Sequence, residues 1–355
     1  MESLVNYRSI LLVIISFAVG MNAQQQSYDR QTEGDTPEQK LLYYRNALEN
    51  SGAYSQKAGI INRIAQTGTF LGMITAGKYL DDPDENVQQA AVQAIIKIAL
   101  DHPEYYGKIV TELLNKSIQL NKDPEAPRQQ QAMLKHLKEL PQDDGFVSMF
   151  NGKDLTGWKG LVEDPIARSK MSPDKLAQKQ KKANEIMHRD WIVKDGLLIY
   201  EGKGFDNLCS EKMYGDFELY LDWRIDSGGD SGIYLRGSPQ VQIWDVTMKN
   251  AGARVGSGGL FNNQKHPSKP LLVADNPVNE WNSFYIRMVG DKVTVYLNGK
   301  LVTDKVVFEN YWINSIPIFS EEAIELQAHT TRTEYRDIYV REIPDGNKYQ
   351  GLSKN

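Results

Sequence analysis

Four stretches of this chain set polar side chains at alternate positions against an apolar set: Asp222 and Arg224 in FELYLDWRI, Tyr234 and Arg236 in IYLR, Gln242 and Trp244 in VQIWD, and Gln327 and His329 in IELQAH. Successive side chains of an extended strand point to opposite faces, so four adjacent strands would bring these pairs into one groove. Such a groove suits a sugar. Carboxylates, amides and guanidinium groups bond hydroxyls, while Tyr and Trp rings pack on the CH faces. His329 is the leading base, because a neutral imidazole titrates in the useful range. Asp245, just beyond Trp244, is a second group for proton transfer, and Arg224 and Arg236 are the cations that would hold a developing oxyanion or sugar oxygens. Asp222, Tyr234, Gln242, Trp244 and Gln327 are the expected substrate contacts. A solvated sheet face would show the same alternation.

Short strands must position these groups. From Phe146 onward GFVSMFNG, WIVKDGLLIY, FELYLDWRI, SFYIRMVG and KVTVYLNGKLV alternate with turn signals, which argues for a sandwich. Asn298-Gly299 marks a two-residue hairpin turn. Between the strands, residues 165–190 carry Ser172-Pro173-Asp174 and a charged helical run, predicting a helix on the sandwich rim. Ahead of the polar turn Pro141–Gly145 the period changes. Val87, Ala91, Ala94, Ile95 and Ile98 fall on one helical face, introduced by Asp81-Asp82-Pro83-Asp84. The segment GKYLDDPDENVQQAAVQAIIKIAL resembles a HEAT-type repeat unit, so residues 41–140 are expected to form a small helical stack with a packing or partner-docking role. The expectation is two separable units, 41–140 and 146–345, joined near Gln142–Gly145.

With 355 residues, 41% hydrophobic and 25% charged, the chain has room for two globular domains. A formal net charge of -5 gives no sign of nucleic-acid binding. Residues 1–23 read as a secretory signal peptide: Arg8, then an apolar run from Ile10 to Val19 too short to span a bilayer, then Ala23 before Gln24. A polar leader, 24–40, follows. No Cys sits at the cleavage point, so the mature chain is expected to be periplasmic or secreted, neither lipid-anchored nor membrane-spanning. Cys209, the only cysteine, can form no intramolecular disulfide and reads as a small buried apolar residue.

The blocks FVSMFNGKDLTGWKG, WIVKDGLLIY, YGDFELYLDWRI, DSGIYLRGSPQVQIWD, EWNSFYIRMVGDKVTVYLNGKLV and IELQAHTTRTEYRDIYVREI resemble, in order, those of the 3-keto-disaccharide hydrolase family over about residues 146–343. The resemblance implies a concanavalin A-like jelly-roll sandwich in secreted or periplasmic proteins of glycan-degrading bacteria. It also implies a glycoside substrate already oxidised at the sugar C3, which a separate oxidoreductase would supply. This chain reads Asp230-Ser231-Gly232 where many members have Asn-Ser-Gly, and Thr330 where a Gly often follows the His. A C3 ketone acidifies the C2 hydrogen. One base can then remove it, a donor or cation can hold the enolate, and the C1 substituent can leave by elimination, with water adding afterwards for net hydrolysis.

Conventional sandwich glucanases carry their carboxylates as Glu-x-Asp-x-x-Glu on one strand, and that motif is absent: Glu325 has no acid two or three residues on. The Gly229–Gly232 segment GDSG resembles a protease nucleophile loop, but His329 follows the serine and no protease-like His block precedes it. Asp226, Asp230 and Ser231 offer oxygen ligands to a divalent metal such as Ca2+, short of a full ligand set; the sequence requires no other cofactor. Three function classes stay open: an enzyme cleaving 3-keto-glycosides, a non-catalytic lectin-like sandwich, and an adaptor whose helices dock a protein partner.

Overall fold

The computed structural model describes residues 34–141, 143–248 and 252–344; the expected signal peptide and most of the expected polar leader lie outside the described residues. Helices come first: α1 (Pro37–Asn50), α2 (Tyr54–Thr67), α3 (Phe70–Gly77), α4 (Glu85–Asp101), α5 (Lys108–Leu120) and α6 (Ala126–Glu139). Local chemistry sets their starts. Thr36 and Gln39 close a capping box ahead of Pro37, and the Asp84 carboxylate accepts from the backbone N–H groups of Asn86 and Val87. In α4 the expected stripe is buried, and Ala90, Val92, Ile96 and Ala99 are buried too, because α2, α3 and α5 surround it.

The strands follow: β1 (Val147–Ser148), β2 (Trp158–Gly160), β3 (Trp191–Lys194), β4 (Leu197–Tyr200), β5 (Leu208–Tyr214), β6 (Phe217–Ile225), β7 (Asp230–Leu235), β8 (Ser238–Trp244), β9 (Asn282–Val289), β10 (Lys292–Leu297), β11 (Lys300–Val307), β12 (Glu322–Leu326) and β13 (Thr333–Glu342). They form an antiparallel jelly-roll sandwich. One sheet runs β11-β10-β9-β6-β13-β4-β3 with β1 beside β13, and the other runs β2-β5-β12-β7-β8. The insertion forms α7 (Pro165–Ser169) and α8 (Pro173–Asp190), and α8 packs on β2 at the rim. The Asn298-Gly299 turn has positive φ at both residues, as a type I′ hairpin requires.

Between the sheets, Phe217, Leu219, Leu221, Trp223 and Ile225 of β6 share one core with Ile233, Leu235, Val241, Ile243, Ile324 and Leu326 of the smaller sheet. The opposite face of β6 overturns an expectation. Glu218, Tyr220 and Asp222 line no sugar groove, because the helices cover them. Phe70 of α3 stacks on Tyr220 with ring centroids 5.5 Å apart, and Phe146, Tyr220 and Tyr339 belong to the helical core. Arg45 of α1, 4% exposed, donates to Asp222 at 2.6 Å, to Thr75 Oγ1 at 2.7 Å and to the Leu71 carbonyl at 2.9 Å. Asp337 lies 3.3 Å from Arg45 and 3.1 Å from Lys78; burial pushes its carboxyl up, but Arg45, Lys78 and Arg336 outweigh it and hold it well below the usual range.

A bulge makes this interface. By strict alternation Arg336 would fall in phase with core residues Ile338 and Val340. Instead the β6–β13 register shifts between Arg336 and Tyr339, with Asp337 at φ +51, so Arg336, Tyr339 and Arg341 all face the helices. The junction is stitched as well. Gly145 pairs with Gly107, and a Cβ on Gly145 would lie 2.2 Å from the Tyr106 carbonyl oxygen, so only glycine allows this crossing. The two expected units therefore share a core rather than hanging on a free linker. Among the described residues no helix is long and apolar enough to cross a membrane.

Candidate active site

The outer face of the smaller sheet carries the remaining polar groups. Glu325 of β12 stands opposite Tyr234 of β7, and Leu326 opposite Ile233. The Gln327 N–H donates to the Gly232 carbonyl at 2.9 Å, which continues that register and brings His329 level with Asp230. On the other side of β7, Asp230 pairs with Trp244 and Gly232 with Gln242 of β8. While Ile324, Leu326, Ala328, Ile233, Leu235, Val241 and Ile243 fill the core, the alternate residues form a polar grid around Gly232. Gly232 is buried at its centre. Gln240 leans across it, so a Cβ there would lie 2.7 Å from the Gln240 carboxamide carbon.

A chain of amides runs along the grid. Gln240 Nε2 donates to Gln242 Oε1, and Gln242 Nε2 donates to Asp230 Oδ1 at 2.7 Å. Burial raises the Asp230 pKa, against the pull of Gln242 and of nearby His329. The Oε1 atoms of Gln240 and Gln327 are buried with no partner, so two acceptors on this face await a donor. Tyr234 is pushed up to about 12 by burial and by Glu325, and its hydroxyl accepts from Gln327 Nε2 at 3.5 Å. The His329 ring meets the edge of Phe205, centroids 5.5 Å apart. Thr330, which stands where a Gly often follows the His, has φ +51, a conformation that glycine adopts without strain.

Glu325 is the most perturbed acid here. Burial raises it to about 7, with partial relief from Arg168 of α7 and from Asn207 Nδ2 at 3.5 Å. Asn207 is itself fixed, its Oδ1 accepting the Ala328 N–H at 3.0 Å. Because the folded value lies above the unfolded 4.5, Glu325 costs stability progressively as pH rises from about 4.5 to 7, and the cost stays full above that. Glu325→Gln is therefore expected to stabilise the protein by about 3 kcal/mol more at pH 8 than at pH 4, at 1.36 kcal/mol per pKa unit. Urea denaturation at the two pH values reads this directly, and equal effects at both would remove Glu325 as a strained buried acid.

Four expected groups lie elsewhere or are engaged. Asp222 is on the helix-covered face of the larger sheet, and so is Arg224, which pairs with Glu334 at 2.5 Å and lies 4.7 Å over the Trp281 ring. Arg236 follows a register shift in the β7–β8 pairing and has φ +47. It is 4% exposed and donates to the carbonyls of Gly215 and Gly290, both at 2.8 Å, and to Asp216. Asp245 sits past the end of β8 and is buried, accepting from Thr247 N–H at 2.8 Å, Thr247 Oγ1 at 2.6 Å and Gly228 N–H at 2.8 Å. Burial raises its pKa, but these bonds prevail and lower it, so the carboxylate fixes a turn. A single groove holding all the sequence candidates is thus corrected to a grid of Tyr234, Gln242, Trp244, Gln327 and His329. Asp230, Gln240, Glu325 and Asn207 join them. The phase of Glu325 with Gln327 and His329 was the available signal for one of these; nothing in the sequence marks Asn207.

Ser231 faces inward, donating to the Gln327 carbonyl at 2.8 Å and hydrogen-bonding with Tyr335, so it and Asp230 lie on opposite faces of β7 and do not converge on a cation. Among the described residues no cluster of three or more His, Cys, Asp or Glu side chains is arranged to hold a metal ion. Cys209 is buried, and burial pushes its thiol up to about 12, against thiolate chemistry.

The model of the 3-keto-alpha-glucoside-1,2-lyase-like domain matches residues 145–341. A 3-keto-disaccharide hydrolase of Bacteroides thetaiotaomicron is 28% identical over 105 residues, 27% of this chain, and the match spans 29% of that relative's length. A candidate glycosyl hydrolase from Parabacteroides distasonis, solved at 1.70 Å, aligns over 56% of this chain and 95% of its own, with 19% identity and a TM-score of 0.41. The carbohydrate-binding module CBM66 from Bacillus subtilis aligns over 53% of this chain and 97% of its own, with 15% identity and a TM-score of 0.31.

Proposed function

The chain belongs to the 3-keto-alpha-glucoside-1,2-lyase-like domain family, and from that premise we propose that it cleaves glycosides oxidised at C3 by removing the C2 proton and expelling the C1 substituent. The spacing of the acids carries this reading. Glu325 stands opposite Tyr234, four residues from Asp230 along β7, which is about 13 Å at roughly 3.3 Å per residue. A retaining glycosidase needs its carboxyls about 5 Å apart and an inverting one about 6.5–9.5 Å, so these two acids do not flank one bond. A single base beside a ketone-acidified C–H needs no second carboxylate.

In this reaction the C2 proton passes to the His329 imidazole, and the C–H electron pair becomes an enolate on the C3 oxygen. The enolate collapses to a C1=C2 double bond as the C1–O pair leaves with the aglycone. Water adding across that double bond gives net hydrolysis. Asp230, held by Gln242, favours the imidazolium that forms. Tyr234, kept protonated by burial, is the hydroxyl donor for the enolate oxygen, and the orphan Oε1 atoms of Gln240 and Gln327 accept from sugar hydroxyls. The name of the Bacteroides relative supports the substrate class. An oxidoreductase outside the cytoplasm would supply the ketone, in keeping with the secretory reading of residues 1–23.

The test is a 3-keto-glucoside carrying deuterium at C2. Cleavage should slow by a primary isotope effect and release the label to water. Cleavage at an undiminished rate with the label retained would overturn the elimination, and saturable binding without cleavage would favour the lectin-like reading instead.

A further inference from the structure

We infer that the cavity beside Trp244 and Phe261 is the leaving-group subsite and takes an aromatic aglycone; this rests on the proposed cleavage of 3-keto-glycosides. The cavity measures about 130 Å³, and its lining includes Trp244, Phe261, Val255 and Pro270 with the polar groups of Gln242, Ser268 and Lys269. An apolar cavity of about 150 Å³ holds a benzene ring. Size and lining therefore match one aromatic ring.

Its position relative to the acid–base pair suits a leaving group. Gln242 lines the cavity and bonds Asp230 at 2.7 Å, and Trp244 is the direct cross-strand partner of Asp230. The cavity thus begins one strand spacing, about 4.8 Å, from the carboxylate level with His329. A sugar held beside His329 with its C1 substituent toward β8 would place that substituent there. The Trp244 ring is fixed for that use: its Nε1 donates to the Gly256 carbonyl at 2.9 Å, and it meets Phe261 edge-on with centroids 5.1 Å apart. Phe261 is 49% exposed, so a ring seated against it removes apolar surface from water.

A second pyranose fits less well. Each of its hydroxyls needs a partner, yet Gln242 Nε2 is already shared among Asp230, the Ser231 carbonyl and the Ile243 carbonyl. Seated there, a sugar would bring several hydroxyls to a wall whose polar side chains are Gln242, Ser268 and Lys269. An aryl aglycone makes no such demand and departs with the C1–O electron pair as a phenolate, beside the cation of Lys269.

Two measurements test this. The first is kcat/KM for a 3-keto-glucoside of p-nitrophenol against a 3-keto-diglucoside, in wild type and Phe261→Ala. The aryl-to-disaccharide ratio should favour the aryl substrate and fall about tenfold in the variant, the scale of losing a few methylene-sized contacts in an apolar pocket. A ratio that favours the disaccharide, or one that Phe261→Ala leaves unchanged, overturns the inference. The second is a ligand-observed NMR titration with p-nitrophenol, which needs no turnover. Binding weakened severalfold by Phe261→Ala supports the subsite, and identical or absent binding overturns it. If neither keto-glycoside is cleaved, the proposed reaction fails while the titration still decides the cavity.

Discussion

Replacing His329 by alanine should lower kcat/KM for a 3-keto-glucoside by a factor of about 10² to 10⁴, the contribution of a positioned acid–base group. The imidazole lies on the outer grid and is not part of the core, so the loss should appear in kcat with the fold intact by circular dichroism. Added imidazole should restore part of the rate. Asp230→Asn should lower the rate as well, since it removes the charge that favours the imidazolium while leaving an oxygen for Gln242. The same glycoside with a C3 hydroxyl should be inert to wild type and variant alike, because its C2 hydrogen is far too weak an acid for imidazole to remove. Equal rates on oxidised and unoxidised glycosides, or an unimpaired His329→Ala enzyme, would refute the assignment.

Arg45→Ala should cost about 3–5 kcal/mol, because it removes the closer of the two buried guanidinium groups that Asp222 and Asp337 share, leaving Arg336 at 3.3 and 3.9 Å. That is a large part of the roughly 5–15 kcal/mol available to an ordinary domain. The loss should depend on pH in one direction. The folded pKa of Asp337 is depressed, so its contribution is present above the unfolded value of 3.8 and disappears as pH falls below it. The gap between wild type and Arg45→Ala should therefore be full at neutral pH and narrow in acid. Because helices and sandwich share Phe70, Tyr220, Phe146 and Tyr339, helical and tryptophan signals should unfold together in urea. Two separate transitions, or a loss under 1 kcal/mol, would show that the interface is weaker than its geometry.

Strand phase was legible in the sequence: it told which residues share a face. What covers each face was not. FELYLDWRI sorts its side chains correctly, but the groups that make Asp222 an interior residue are Arg45, 177 positions away, and Arg336, 114 positions away. Alternation also fails where a residue is inserted, so the bulge at Asp337 and the register shift before Arg236 sent those arginines to faces that strict counting did not give. Glu325 shows the converse. Its phase with His329 was plain, but its raised pKa comes from burial, only partly relieved by Arg168 and Asn207, which the fold brings close. The hairpin turn, the rim helix and the stripe of α4 were readable because caps, turns and periodicity are local.

The covered sheet also bears on how this protein can change over generations. Tyr220, Asp222, Tyr285 and Tyr339 lie on what is, in an uncovered sandwich, a water-facing surface, yet here they pack as interior. A descendant that lost the helices would have to rewrite those positions together, and one that exchanged its sandwich for another would need the same tyrosines and acids in place. In this chain, helices and sheet would therefore have to change together.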